Sequence, residues 1–174
     1  MAFAFTLEKW SKALAPSLAE SANDERIPRF LRNTFPHPYT EECAVFFISA
    51  VEKMQDKGLF YAIVSEGRAI GGIDLTLQED VHCRQAELGY WLNPDFWGKG
   101  IMTEAVGRIC AEAFEKLPVN RIRAQVFGEN AASCRVLEKC GFQREGVLRQ
   151  SIFKNGIFYD ERIYGLLASE RGEL

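Results

Sequence analysis

One change of rhythm governs what this chain can fold into. Over residues 84–92 apolar side chains alternate, with Ala86, Leu88, Tyr90 and Leu92 on one face and Glu87, Gly89 and Trp91 on the other. A period of two is that of a strand. From Ile101 the repeat becomes helical, with Met102, Val106, Ile109, Ala113 and Leu117 on one side until Pro118 stops it. Between the two lies a loop broken by Pro94 and carrying Gly98 and Gly100. Glycines there let backbone N–H groups turn inward with no side chain in the way. The helix start adds unsatisfied donors and the positive end of its dipole, so an anion is welcome there, and the geometry suits a pyrophosphate held by main-chain amides. The segment is not a P-loop, because Lys99 is followed by Gly100 rather than Ser or Thr. Nor is it the GxGxxG dinucleotide fingerprint, whose third glycine would fall on Thr103.

The flanking segments predict an α+β chain. Phe3, Phe5 and Leu7 alternate as a first strand, and the runs 59–64 and 69–77 flank a Glu66-Gly67 turn. Further strands are expected at 121–127, 146–153 and 157–165, the last two around Asn155-Gly156, a hairpin signal because both central residues take positive φ. A helix is expected over 11–22 with Leu14 and Leu18, and a short one capped by Asp24 with Ile27, Phe30 and Leu31 inward. Thr40 caps another, running to about Met54 on a stripe of Val45, Phe46, Ile48 and Val51, and a last helix covers 131–140 before Gly141. Two prolines forbid regular structure in Phe35-Pro36-His37-Pro38-Tyr39. The tally is a mixed, mostly antiparallel sheet of about seven strands with about four helices.

Composition closes off several function classes. A length of 174 residues predicts one domain over residues 1–174, and 47% hydrophobic with 26% charged residues argues against disorder. No apolar run approaches the ~18 residues a membrane helix needs. Glu8 arrives before any signal-peptide core is complete. A net charge of −3 without a basic stripe argues against nucleic acid as a partner. The five cysteines (43, 83, 110, 134 and 140) contain no CxxC, and His37 and His82 stand apart from them, so no metal site is expected. Reduced thiols in the cytoplasm are the expectation.

Three stretches carry a family likeness: Glu87-Leu-Gly-Tyr-Trp-Leu-Asn-Pro94 with Trp97-Gly-Lys-Gly-Ile-Met-Thr-Glu-Ala105, then Val126-Phe-Gly-Glu-Asn-Ala-Ala-Ser133 with Val136-Leu-Glu-Lys-Cys-Gly-Phe142, and Phe35-Pro-His-Pro-Tyr-Thr40. In their order and spacing the chain resembles, over nearly its whole length, the GCN5-related N-acetyltransferases (GNAT), in the branch of the ribosomal-protein N-terminal acetyltransferases. The resemblance implies the acyl-CoA N-acyltransferase fold, a GNAT-type domain over residues 1–174, and acetyl-CoA as co-substrate without a metal. It places the pyrophosphate over Gly98, Lys99, Gly100, Ile101, Met102 and Thr103 with Trp97 among the cofactor-binding residues beside them, the pantetheine arm beside Trp91, Leu92 and Asn93, and a hydrogen bond to that arm on Asn130. The family's loop pattern, Gln/Arg-x-x-Gly-x-Gly/Ala, is departed from at Trp97 and Met102. Main-chain amides bind the phosphates, so the cofactor assignment stands.

Acetyl transfer to an amine needs a proton acceptor, a donor for the oxyanion and a proton for the leaving thiolate. The resemblance points to the backbone N–H near Leu92 for the oxyanion, to Glu87 as base through a water, and to Ser133 as acid. The tyrosine that many relatives place four residues after Ser133 is Leu137 here. Phe35 and Tyr39 are candidates for the acceptor pocket wall. The implied function is N-acetylation of a primary amine, such as the N-terminus of a ribosomal protein. The alternatives are a small amine (polyamine, amino sugar or amino acid) as acceptor, or a non-catalytic acyl-CoA sensor. No direct contact with nucleic acid or membrane is expected, and the family allows a homodimer.

Overall fold

Turn chemistry sets the strand neighbours in the computed structural model, which describes residues 3–170. Glu66 and Gly67, at φ 50° and 73°, reverse the chain between β2 (Gly58–Ser65) and β3 (Arg68–Leu77). Asn155 and Gly156, at φ 51° and 79°, do so between β6 (Gln143–Lys154) and β7 (Ile157–Leu167), as a primed turn requires. With β1 (Thr6–Lys9), β4 (Gln85–Leu92) and β5 (Arg121–Phe127) they form one seven-stranded sheet in the order β1-β2-β3-β4-β5-β7-β6. Every pair is antiparallel except β4–β5, which are joined by a helical crossover and run parallel.

Each face of the sheet has its own core. On one side α3 (Ile101–Lys116) and α4 (Ala131–Lys139) cover Ile73, Leu75, Leu88, Ile122 and Ala124 with Ile101, Val106, Ile109 and Leu137. On the other, α1 (Ala15–Ala22) and α2 (Glu41–Glu52) cover Phe60, Ala62 and Val64 with Leu18, Ala44 and Ile48. Strand alternation divides the two sets: residues 73 and 75 face α3, while 72 and 74 face the opposite way. Among the described residues, no helix is long and apolar enough to cross a membrane and no cluster could hold a metal ion.

The α+β expectation agrees with the seven strands and four α-helices observed. Two local expectations do not. Asp24 caps no α-helix; it accepts from the Arg26 amide and guanidinium, and only a 3-10 turn, Pro28–Phe30, follows. The buried stripe of α2 is Ala44, Ile48 and Val51 with Phe47 packed beside it, whereas Phe46 is 78% exposed. The spacing 44, 47, 48, 51 is the helical one, and the bulk of Val45 and Phe46 misplaced the face by one residue. Thr40 does cap α2, its hydroxyl accepting from Cys43 N at 3.3 Å.

Ile109 is fully buried at the centre of α3. Ile109→Ala leaves a cavity between α3 and the sheet, and is expected to cost about 3 kcal/mol, read as a fall in Tm of about 6–12 °C.

Candidate active site

The parallel pair β4–β5 is short. Register partners run only from Gln85↔Arg121 to Glu87↔Arg123, after which β4 stays with β3 to Leu92 and β5 stays with β7 to Phe127. A wedge-shaped gap opens between residues 88–92 and 124–127. Asn93 N donates to Ile70 O on the β3 side at 2.9 Å. Because amides alternate along a strand, those of Tyr90 and Leu92 point the other way, into the gap. The Leu92 carbonyl is held by the Trp97 indole N–H at 2.8 Å, which ties the loop to the strand end and leaves the Leu92 amide facing the opening.

Beyond the gap lies the start of α3. Gly98 and Gly100 sit at φ 76° and 79°, left-handed conformations that a side chain would strain. Glu104 is the first residue of the helix whose amide finds a carbonyl, Gly100 O at 3.1 Å. The amides of residues 98–103 have no intramolecular acceptor among the described residues, so the loop is a row of donors at a helix N-terminus. The side chains of Ile101 and Met102 point into the core, where a helical residue needs no positive φ; the departure at Met102 is therefore harmless to the loop. The residues present fit a pyrophosphate.

On the α3–α4 side of the gap, Asn130 caps α4, its Oδ1 accepting from Ser133 N at 3.1 Å, and its Nδ2 has no partner among the described residues. The Ser133 hydroxyl lies 2.7 Å from the Tyr90 phenol, which comes from β4. Burial pushes the Tyr90 pKa upward, so the phenol stays protonated at any physiological pH. Tyr90 thus brings a phenol to Ser133 from the sheet, although α4 carries Leu137 where a tyrosine was sought.

The gap belongs to a cleft of about 1430 Å³ that runs from Asn130 and Ser133 through to the opposite face of the sheet. Phe35 lines it, with its ring 5.8 Å from Trp91 and 5.1 Å from Tyr39; Tyr39 is buried behind it, its phenol pushed up to about 12 by burial. Glu87 is at the apex, one oxygen accepting from Arg32 at 2.7 Å and the other from Arg123, its register partner on β5, at 2.6 Å. Asp74 on β3 lies opposite Gly89, and a Cβ at Gly89 would come within 3.2 Å of its carboxylate. Among the described residues it accepts a single hydrogen bond, a long one from the Thr76 hydroxyl at 3.4 Å. Burial, reinforced by the charge of Glu87, raises the Asp74 pKa to about 7 against weaker pulls from Thr76 and Arg32.

The structure brings most of the sequence candidates together and redistributes some. Glu87, Asn130, Ser133, Phe35 and Tyr39 all line the cleft. Trp91 pairs with Gly72, so its backbone faces β3 and only its ring reaches the cleft. Asn93 is spent on the turn: its amide, carbonyl, Nδ2 and Oδ1 engage Ile70, Phe96, Ser21 and Asp95. Lys99 holds its ammonium over the rings of Phe3 and Phe96. Asp74, Tyr90, Arg32 and Arg123 were not among the candidates. Asp74 did leave a signal, as the one acid in the apolar run of β3.

Comparison with known proteins places this architecture. Residues 5–143 match the family model described as an acetyltransferase (GNAT) domain. The chain is 32% identical over 172 residues to the uncharacterised N-acetyltransferase p20 of Bacillus licheniformis, covering 95% of this chain and 93% of that one. It is 29% identical to the ribosomal-protein-serine acetyltransferase of Escherichia coli over 60% of this chain and 58% of the relative. With three relatives from Bacillus subtilis the match spans 48%, 60% and 61% of their own length. Mycobacterium smegmatis RimJ, solved with a CoA-disulfide, superposes with a TM-score of 0.88 at 21% identity over 98% of this chain and 85% of RimJ, which shows the shared fold.

The half-buried Asp74 has a consequence for stability. Its folded pKa, about 7, lies above its unfolded value of 3.8, so the folded state holds the proton more tightly. Stability is therefore lost as pH rises from about 4 to 7 and stays lower above it. Asp74→Asn removes the ionising group, and is expected to be more stable than the parent by about 2 kcal/mol at pH 8, allowing for solvent in the cleft. Melting curves from pH 4 to 8 should show that advantage growing to pH 7 and then levelling.

Proposed function

The chain belongs to the GNAT acetyltransferase family, and from that premise we propose that it moves an acetyl group from acetyl-CoA to a primary α-amine, in the first instance a protein N-terminus. The observation that carries the reading is the gap after Glu87, with unpartnered amides at one end and a cleft on the other side of the sheet. Acetyl-CoA would be held by the amides of residues 98–103 and by Asn130 Nδ2, and supplies an activated thioester. The Leu92 amide faces the position where negative charge develops on the acetyl oxygen. Ser133 donates the proton to the departing sulfur. The Tyr90 phenol lies 2.7 Å from Ser133 Oγ, a contact in which either hydroxyl can donate; with the phenol as donor, the serine hydrogen is free to point into the gap. The carboxylates of Asp74 and Glu87 lie on the acceptor side, with Phe35 and Tyr39 behind the entering chain. The ribosomal-protein-serine acetyltransferase relative supports a protein N-terminus as acceptor, and the free thiols suit the cytoplasm.

Acetyl-CoA at about 100 times its Kd should raise Tm by about 5–10 °C, CoA should do likewise, and ATP should not. Peptides with N-terminal serine or alanine should then release CoA thiol, and spermidine should not. Ser133→Ala is expected to lower kcat about 100-fold and Tyr90→Phe about 10-fold, each keeping the acetyl-CoA shift. No shift would remove the cofactor reading, and a shift without transfer to any amine would make the protein a sensor.

A further inference from the structure

We propose that Asp74 is the group that takes the proton from the acceptor amine, and that Glu87 is the cross-strand post that keeps the apex of the gap closed beside it. The inference rests on the acetyltransferase reading above and deepens it. Position is the first argument. Asp74 is opposite Gly89, whereas Glu87 is two residues back at the last parallel pair, so Asp74 stands about 7 Å nearer the Leu92 amide along the strand. Both side chains are on the cleft face, and glycine at 89 leaves the space in front of the Asp74 carboxylate open.

Availability is the second argument. Each Glu87 oxygen already holds a guanidinium, so a proton arriving there would displace Arg32 or Arg123. Among the described residues, Asp74 has only the long bond from Thr76. The charged groups around it are committed elsewhere. On β4 and β5, Glu87 and Arg123 hold each other, and Arg32 reaches Glu87 from the loop after the 28–30 turn. Lys154 from the β6–β7 hairpin donates to the carbonyls of Pro28 and Leu31, and Glu161 accepts from Ser151. On α2, Glu42 and Cys43 are drawn to Thr40. A half-buried carboxylate without its own cation costs the fold free energy when it ionises, and an ammonium entering the cleft supplies the missing charge. The raised pKa of about 7 then brings Asp74 close to a peptide α-amine, about 7.7–8.0, and leaves it well short of an alkylamine near 10.4. Proton transfer is nearly level for the first and steeply uphill for the second.

Of the three hydrogens on the entering ammonium, one passes to Asp74 and then to solvent, freeing the lone pair that forms the C–N bond. As the C–S bond breaks its electrons go to sulfur, which takes a proton from Ser133. A second nitrogen hydrogen is released to restore the serine through solvent, and the third remains on the amide product.

The test is the pH dependence of kcat/KM for an N-terminal serine peptide in the parent, Asp74→Asn and Glu87→Gln, beside an NMR titration of 13C-labelled aspartate carboxyls. The parent should show an acidic limb with a midpoint near 7, matched by a carboxyl resonance titrating there that is missing from Asp74→Asn. Asp74→Asn should lose the limb and about 100- to 1000-fold in kcat/KM with its acetyl-CoA melting shift intact. Glu87→Gln should be slower but keep the limb. Asp74→Asn retaining both limb and rate, or every aspartate titrating below about pH 5, overturns the assignment while leaving the acetyltransferase reading in place. A parent that acetylates no amine overturns that reading, and this one with it.

Discussion

β4 and β5 are parallel neighbours over three register pairs and then part, and the chemistry of the protein depends on where they do so. A sheet paired throughout would leave its central strands no main-chain donor facing open space, since each of their amides would meet a carbonyl. Here β4 remains paired to β3 and β5 to β7, so each edge of the gap is rigidly backed while its inner donors are free. The ion pair between Glu87 and Arg123, which are register partners, lies at the last closed step. Arg32 reaches the same carboxylate from a loop far away in sequence. Three charges thus meet at the point where hydrogen bonding between the strands ends.

Strand alternation then sorts the functional groups. Gly89, Tyr90 and Trp91 are consecutive, yet Tyr90 reaches Ser133 beneath α4 while Trp91 meets Phe35 in the cleft on the other face. Ser133 and the carboxylates of Asp74 and Glu87, to which the proposed mechanism gives the leaving-group and amine sides, are thereby kept on opposite faces of the sheet, joined through the gap. A single strand of eight residues supplies side chains to both faces and the Leu92 amide between them.

Much of this was legible before any fold was known. Asn155-Gly156 announced its hairpin, Thr40 its cap, and the period-two to period-3.6 change the glycine loop ahead of α3, because these follow from local backbone preferences. Other features escaped for equally physical reasons. The face of α2 was misread because side-chain bulk, rather than contact, was used to choose between adjacent stripes. Trp97 looked like a departure from the family loop, yet its indole performs a structural task, holding Leu92 O across the turn. Asn93 looked like a cofactor contact and is consumed by the turn, which only its four hydrogen bonds reveal.

The sequence by itself determined the elements, their order and the chemical type of the loop before α3, since propensity, capping and periodicity act over a few residues at a time. It could not determine which carboxylate is free. Glu87 carries the family motif, but its availability depends on Arg32 and Arg123, which are 55 and 36 residues away. Asp74 reads as an exception within an apolar strand, and becomes a cleft group only when β4 places a glycine opposite it. Burial, ion pairing and the pKa that results are properties of neighbours brought together from distant parts of the chain, and so belong to the tertiary structure alone.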